Sequence, residues 1–399
     1  AYNNDEESSF IVDKIKMLAR DGYKKSEIAI LYRNNFLSRR LEEELNGRGI
    51  PYIIYGGFRF FERSEIKDMI AYLRVIVNPD DDSAFERTIN NPPRGIGQKT
   101  IDIIRKFAKA DNRSLWKTIK SLQNQSNDEI SSRVKTSLTN YISLIEIISK
   151  EINDLSLDEI LVKIYKESKL KTYYSEQKGE EAISKQENIE ELFITAENFI
   201  KNNYDSENII DDFLDNAALE AGDYQSKLDS DPVQLMTIHS AKGLEFPVVF
   251  LTGLEEGIFP NENRKSGEDF LEEERRLCYV AITRAMKSLY ITFANARYLH
   301  GSYNYLMPSR FISEIPEELL ESVKSDNYQH VKSKNVIPIR KKDDHKHGFK
   351  IGQRVKHQKF GSGVVLSYEG EDDNLKLYIN FEDYGSKWLV LTYAHLEFL

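Results

Sequence analysis

Cysteine occurs once in these 399 residues, at Cys278, so no disulfide can form within the chain and the composition fits a reducing cytosol. Long apolar runs are missing too. None approaches the ~20 residues of a membrane span, and the N-terminal residues carry no signal-peptide pattern. There is no excess of positive charge: 55 Lys and Arg stand against 65 Asp and Glu, a formal net charge of −10. That argues against a dedicated polyanion binder and confines any nucleic-acid contact to local patches. No Gly-x-x-x-x-Gly-Lys-Ser/Thr loop occurs, nor an Asp-Glu magnesium box on a buried strand, so the phosphate cradle of a P-loop enzyme is not here. The first residue is Ala1 rather than Met, and the chain is expected to be part of a longer protein.

What is present is enough for two or three domains, at about 100 to 200 residues each. Hydrophobic residues make up 40% and charged residues 30%, the balance of a globular chain. Strand-like and helix-like stretches alternate first: "IAILYR" at 28–33 and "PYIIYG" at 51–56 flank the helical "SRRLEEELNGRG". Strand signals then vanish until about residue 229. Three apolar runs follow, "VQLMTIH", "PVVFLTG" and "SLYITFA", with the helical "DFLEEERRLCYVAITRA" between the last two. The simplest architecture is one α/β domain with a buried parallel sheet, split by an all-helical insertion. The expected boundaries are residues 1–79 and 230–321 for the sheet domain and 80–229 for the insertion. A polar linker is expected at 322–347 and a small all-β module of short strands at 348–399.

Within the insertion, "NNPPRGIGQKTIDIIRKF" looks like the start of a phosphate-binding loop. The nucleotide patterns fail on spacing, because Gln98 precedes Lys99 and Thr100 stands where a dinucleotide fingerprint needs its third glycine. What is left is a tight turn, Gly95-Ile96-Gly97, before a helix. Residues 87–109 hold six basic side chains and one acidic, which favours a polyanion. A helix corner with a solvated basic face is the alternative.

Three further residues could carry chemistry. Arg284 follows Leu277, Val280 and Ala281 at helical spacing, so it either caps a buried carboxylate or serves as an arginine finger on a transferring phosphate. Glu245, bordering a buried strand, could accept hydrogen bonds from ribose hydroxyls or pair with a nearby cation. His239 lies just beyond a strand's carboxyl end, where α/β folds place ligands, although a lone histidine is more often structural.

"VQLMTIHSAKGLEFPVVFLTGLEEGIFP" and "EEERRLCYVAITRA" resemble motifs V and VI of superfamily 1 DNA helicases of the PcrA/UvrD/Rep group. "GGFRFFERSEIKDMIAYLRVIVNPDDD" and "INNPPRGIGQKTIDII" resemble the same group, and the likeness runs from the N-terminus to about residue 321. The resemblance implies a second RecA-like domain, 2A, interrupted by the helical domain 2B. It implies ATP bound at Gly243, Glu245 and Arg284, with Arg284 as the catalytic finger, and single-stranded DNA at Thr237 and His239. Duplex DNA would meet Gly95, Ile96, Gly97, Lys99 and Thr100. The magnesium that accompanies ATP would be held outside this chain, so no metal ligand is expected in it, and the group's upstream Asn-Tyr-Arg motif is missing. The strand-separating hairpin usually carries Tyr or Phe where this chain has His300.

The tail, "FKIGQRVKHQKFGSGVVLSYEG", resembles the Tudor-like module of Gram-positive PcrA proteins, which implies docking to RNA polymerase. Residues 348–399 hold six basic and seven acidic side chains and nine aromatics, a balance suited to a protein partner; Trp388 and Tyr384 are the candidate docking residues. Taken together, the expectation is the C-terminal portion of a cytoplasmic, ATP-dependent 3′ to 5′ helicase. The rival is a non-catalytic adaptor that binds DNA and RNA polymerase.

Overall fold

A computed structural model of the chain describes residues 1–122, 130–152, 154–222, 231–261, 268–299, 302–323, 354–369, 376–381, 385–391, 394 and 396–398. These residues form two compact units, Ala1–Glu317 and Glu318–Leu399.

In the first unit, α1 (Asn4–Arg20), β1 (Ile28–Tyr32), α2 (Ser38–Gly47) and β2 (Tyr52–Ile54) open a sheet completed by β3 (Val233–Thr237), β4 (Phe246–Leu251) and β5 (Ala285–Ile291). The strand order is β2-β3-β1-β4-β5, and every pairing is parallel. All five residues of β1 are buried, which is why it reads as a continuous apolar run. It is the middle strand, covered on both faces. One face packs on α1 and α2 through Ile11, Ile15, Leu41 and Leu45. The other packs on α12 (Glu268–Ile282) through Leu277, Cys278 and Ala281. Burial among those side chains pushes the Cys278 thiol up to about 12, so it is an inert core residue.

The insertion is helical throughout its described residues: α3 (Ser64–Val77), α4 (Asp82–Thr88), α5 (Gln98–Asp111), α6 (Leu115–Leu122), α7 (Ser132–Glu151), α8 (Leu157–Glu167), α9 (Leu170–Glu176), α10 (Glu180–Asn202) and α11 (Ile209–Gly222). Its hydrophobic core takes in Phe60, Phe61, Ile66, Met69 and Tyr72. The helical body therefore gathers its core from residue 60 onward, upstream of the expected change at residue 80, because the buried stripe of α3 faces α7, α8 and α10.

After β5, a hairpin of β6 (Ala296–Leu299) and β7 (Ser302–Tyr305) precedes the short α13 (Arg310–Ser313). The second unit holds β8 (Arg354–His357), β9 (Gly361–Glu369), β10 (Lys376–Phe381), β11 (Gly385–Val390) and β12 (Leu396–Phe398), an antiparallel sheet in the order β11-β10-β9-β8-β12. Val355, Leu377 and Ile379 form its core.

Candidate functional site

The carboxyl ends of β1, β2 and β3 open onto a cavity of about 480 Å3, closed on its far side by α10. Thr237 and His239 both line it, as do Ser184, Lys185 and Asn188 of α10. Thr237 Oγ1 lies 3.0 Å from Ser240 Oγ and accepts the Ser240 amide at 3.2 Å, so this hydroxyl fixes the turn that presents His239. Gly56 has a positive φ of 71°, and a Cβ there would stand 2.9 Å from Ser240 Oγ; no other residue fits so close to the turn. Two lining residues escaped the sequence reading: Tyr55 and Phe58 are 48% and 67% exposed on the rim. Their signal was the pair of glycines in "YGGF", which lifts aromatic side chains out of the core. The groove has little free positive charge. Lys185 pairs with Glu181 at 2.7 Å, and Arg63 is spent on Asn188 and Ser38, both at 2.7 Å.

The residues after β3 cross the sheet. From Thr237 at the carboxyl end they run through a turn segment to Glu245 at the amino end of β4, with Ile238 and Ala241 buried against the α12 face. There Gly243 and Glu245 are exposed and Arg284 is half-buried, just before β5. Arg284 brackets Glu245: its guanidinium Nη1 donates to Leu244 O at 2.9 Å, and its own carbonyl accepts from Phe246 N at 2.9 Å. The expected trio thus meets at one edge, opposite the groove.

Arg284 corrects the sequence reading in two ways. It is not on the helix, because α12 ends at Ile282. Nor does it cap a carboxylate. Its other bonds go to Val280 O at 3.0 Å and Thr283 Oγ1 at 3.1 Å, and no ion pair engages it among the described residues. Three neutral oxygens hold a guanidinium that has five N–H donors, leaving two donors and the whole charge available.

The basic turn is less basic than its composition. Arg87 pairs with Asp68, and Arg105 with Glu86 and Asp102. Arg94 is turned inward, donating to Thr88 O, Ile89 O, Pro92 O and the Tyr72 hydroxyl. Lys99, Lys106 and Lys109 remain exposed with no ion pair among the described residues. Ile96 is fully buried as the plug of the turn, and Asn90 Oδ1 accepts from the amides of Arg94 and Ile96. Gly95 has φ 75° and Gly97 caps α5, where no side chain caps it; a Cβ on either would meet nothing within 4 Å. The turn therefore shows open backbone to solvent, with Lys99 and Thr100 in the first turn of the helix behind it.

His300 and Tyr384 lie outside the described residues, and of Trp388 only the backbone is described, paired with Tyr378. Among the described residues no group of three or more His, Cys, Asp or Glu side chains could hold a metal ion, and no helix is long and apolar enough to cross a membrane.

Residues 1–296 match the UvrD-like helicase C-terminal domain and residues 351–397 the PcrA/UvrD tudor domain. The chain is 43% identical over 403 residues to DNA helicase II of Escherichia coli (strain K12), covering 100% of this chain and 55% of that protein. It is 36% identical over 405 residues to the ATP-dependent DNA helicase PcrA of Staphylococcus epidermidis (strain ATCC 12228), covering 99% and 55%. Against PcrA of Staphylococcus aureus (strain MRSA252) the identity is 35% over 409 residues, covering 100% and 56%. The chain spans about half the length of the curated relatives it matches.

Proposed function

Because the chain belongs to the UvrD-like helicase family, we propose that it is the C-terminal portion of an ATP-dependent 3′ to 5′ DNA helicase working in the cytoplasm. The observation that carries this is Arg284, a guanidinium fixed by neutral oxygens with its charge unspent. Such a group is built to meet an anion that arrives from outside the chain, as a γ-phosphate does.

In this reading ATP sits between the edge at Gly243, Glu245 and Arg284 and an upstream domain, which also supplies the ligands of magnesium. Magnesium neutralises phosphate oxygens during transfer. Glu245 takes the ribose hydroxyls and Arg284 the γ-phosphate. Single-stranded DNA occupies the groove at Thr237 and His239. One segment, residues 237–245, touches both places, so movement of the nucleotide edge is passed to the DNA groove through a single crossing of the sheet. The complete protein should hydrolyse ATP only when DNA is present and should separate a duplex with a 3′ tail. A complete protein that binds DNA but hydrolyses no ATP would make the chain part of an adaptor instead.

Duplex DNA meets the turn at Gly95, Ile96 and Gly97, with Lys99 and Thr100 behind it. Three of the six basic residues nearby are consumed internally, so few phosphates are neutralised and each free lysine counts. Lys99→Ala is expected to reduce the slope of log affinity for duplex against log salt by about 1, leaving single-strand affinity unchanged. Gly97→Leu, at an ordinary φ of −81°, tests backbone approach without the strain that any side chain at Gly95 would add. Parallel losses in both affinities would point to misfolding.

The second unit serves as the docking module for RNA polymerase, with Trp388 and Tyr384 as the anchors. Deleting residues 348–399 from the complete protein should abolish capture of RNA polymerase in a pull-down while strand separation persists. Retained capture would reject the assignment.

A further inference from the structure

The helical body meets the sheet body where α10 packs on Asn35–Leu37 and the start of α2, and polar groups at that seam have few partners among the described residues. On α10, Glu191, Thr195 and Asn198 follow one another at helical spacing. Glu191 Oε1, Thr195 Oγ1 and Asn198 Nδ2 are buried with no hydrogen-bond partner among the described residues, and on α2 so are the Nε atoms of Arg39 and Arg40. Native interiors leave few polar atoms in that condition. The charges are also unequal. Arg39 is already bound to Glu43 at 2.8 Å and Glu220 at 2.6 Å, and Arg40 to Glu43 at 2.7 Å and Asp5 at 3.5 Å. Two guanidiniums therefore serve three carboxylates before Glu191 is counted.

Among the described residues Glu191 has no ion pair, and it is 7% exposed. It faces Arg39, Arg40 and Glu43 on α2 and Arg63 ahead of α3, and Glu187 precedes it by one turn on α10. Across a cavity of about 20 Å3, lined also by Phe36 and Leu37, lie Glu7 and Arg297, themselves tied together. A fourth carboxylate fits this place neutral and does not fit it charged.

We propose that the α10–α2 seam is a proton-operated latch, in which ionisation of the Glu191 carboxyl releases the helical body from the sheet body. Burial, with Glu43 adding to it and Arg40 opposing, pushes this carboxyl up to about 7 in the packed seam. Freed into water it ionises near 4.5. The packed state thus binds the proton that the released state has lost. Rising pH favours release between those two values, has no effect below them, and reaches its full effect above about 7. Across the window the ratio of released to packed molecules should rise about 300-fold. Because Ser184, Lys185 and Asn188 of the same helix line the DNA groove, the latch and the groove share a wall.

The test needs neither DNA nor nucleotide, so its failure would leave the helicase reading untouched. Donor and acceptor dyes are placed at Met17→Cys on α1 and Asn140→Cys on α7, both exposed, with the buried Cys278 changed to Ser. Energy transfer is then followed from pH 5 to pH 8. The parent should move from a packed to a released value as pH rises, and Glu191→Gln, which cannot ionise, should stay packed throughout. A parent without a transition, or a Gln variant that titrates like the parent, overturns the proposal. So does a Gln variant that loses its cooperative melt, since the seam is argued to accept the neutral side chain.

Discussion

Arg284→Ala in the complete protein is expected to lower the turnover number for DNA-stimulated ATP hydrolysis by about three orders of magnitude or more, with the affinity for ATP nearly unchanged. An arginine finger acts on charge that develops during phosphoryl transfer, and losses of about 10³ to 10⁵ are typical when it is removed. Among the described residues two donors of Arg284 have no partner and three are fixed on Val280 O, Leu244 O and Thr283 Oγ1, so in the proposed reading the group is aimed before a nucleotide arrives. Arg284→Lys should restore little, because an ammonium cannot hold the two backbone carbonyls and reach the phosphate together. Those anchoring bonds also contribute to folding, at about 1 kcal/mol each. A thermal melt beside the kinetics separates the two roles: turnover should collapse while the melting temperature shifts by a few degrees. Equal losses in turnover and ATP affinity would mean that Arg284 only shapes the edge. The chain by itself should turn over no ATP, since in the proposed reading Arg284, Glu245 and Gly243 supply only one wall of the nucleotide site.

How much of this was readable in advance depends on the distance over which the residues act. The strands were legible because the sheet is buried on both faces, so "IAILY" and "PVVFL" show as apolar runs in the sequence. The meeting of Glu245 and Arg284 was legible only through the resemblance to a family, since they lie 39 positions apart in the chain and no spacing rule brings them together. The sequence placed Arg284 on a helical stripe, and the helix stops two residues short. Periodicity reports the face of a helix and is blind to its last turn, where Arg284 finds carbonyls in place of a carboxylate. Counting charges overstated the basic turn for a related reason. Composition cannot tell an arginine that faces solvent from Arg94, whose guanidinium sits inside on Thr88 O and the Tyr72 hydroxyl. The α10–α2 seam gave no signal at all. Glu191 lies in a helix rich in Glu and Lys, and only packing shows that its side chain faces inward.

Arg297→Met is expected to destabilise the first unit by about 3 to 5 kcal/mol at neutral pH, the usual cost of removing one partner from a buried ion cluster. Arg297 is 5% exposed and bridges Glu7 of α1 and Glu255 beyond β4: Nε donates to Glu255 Oε2 at 2.6 Å, and Nη2 donates to both carboxylates. Glu7 also accepts from Thr252 Oγ1 and Thr292 Oγ1, each at 2.8 Å, and Glu255 from Ala294 N at 2.6 Å. One arginine thus fastens α1, the ends of β4 and β5, and the base of the β6–β7 hairpin. Burial alone would raise the Glu7 carboxyl, but the Arg297 charge and the bonds from Thr292 and Thr252 outweigh it and hold Glu7 below its usual range. A depressed carboxyl contributes stability that is present above its unfolded value and is lost as pH falls through its folded one. In the Met variant both carboxylates lose their counter-charge and take up protons more readily. The penalty relative to the parent should therefore shrink from pH 7.5 to pH 5, as measured by urea unfolding at the two values. Adding Glu7→Gln and Glu255→Gln to Arg297→Met should recover much of the loss at pH 7.5, because neutral amides in the same space leave no buried charge unpaired. A penalty below about 1 kcal/mol, or one that grows toward acid, would show that the cluster is not the fastening its geometry suggests.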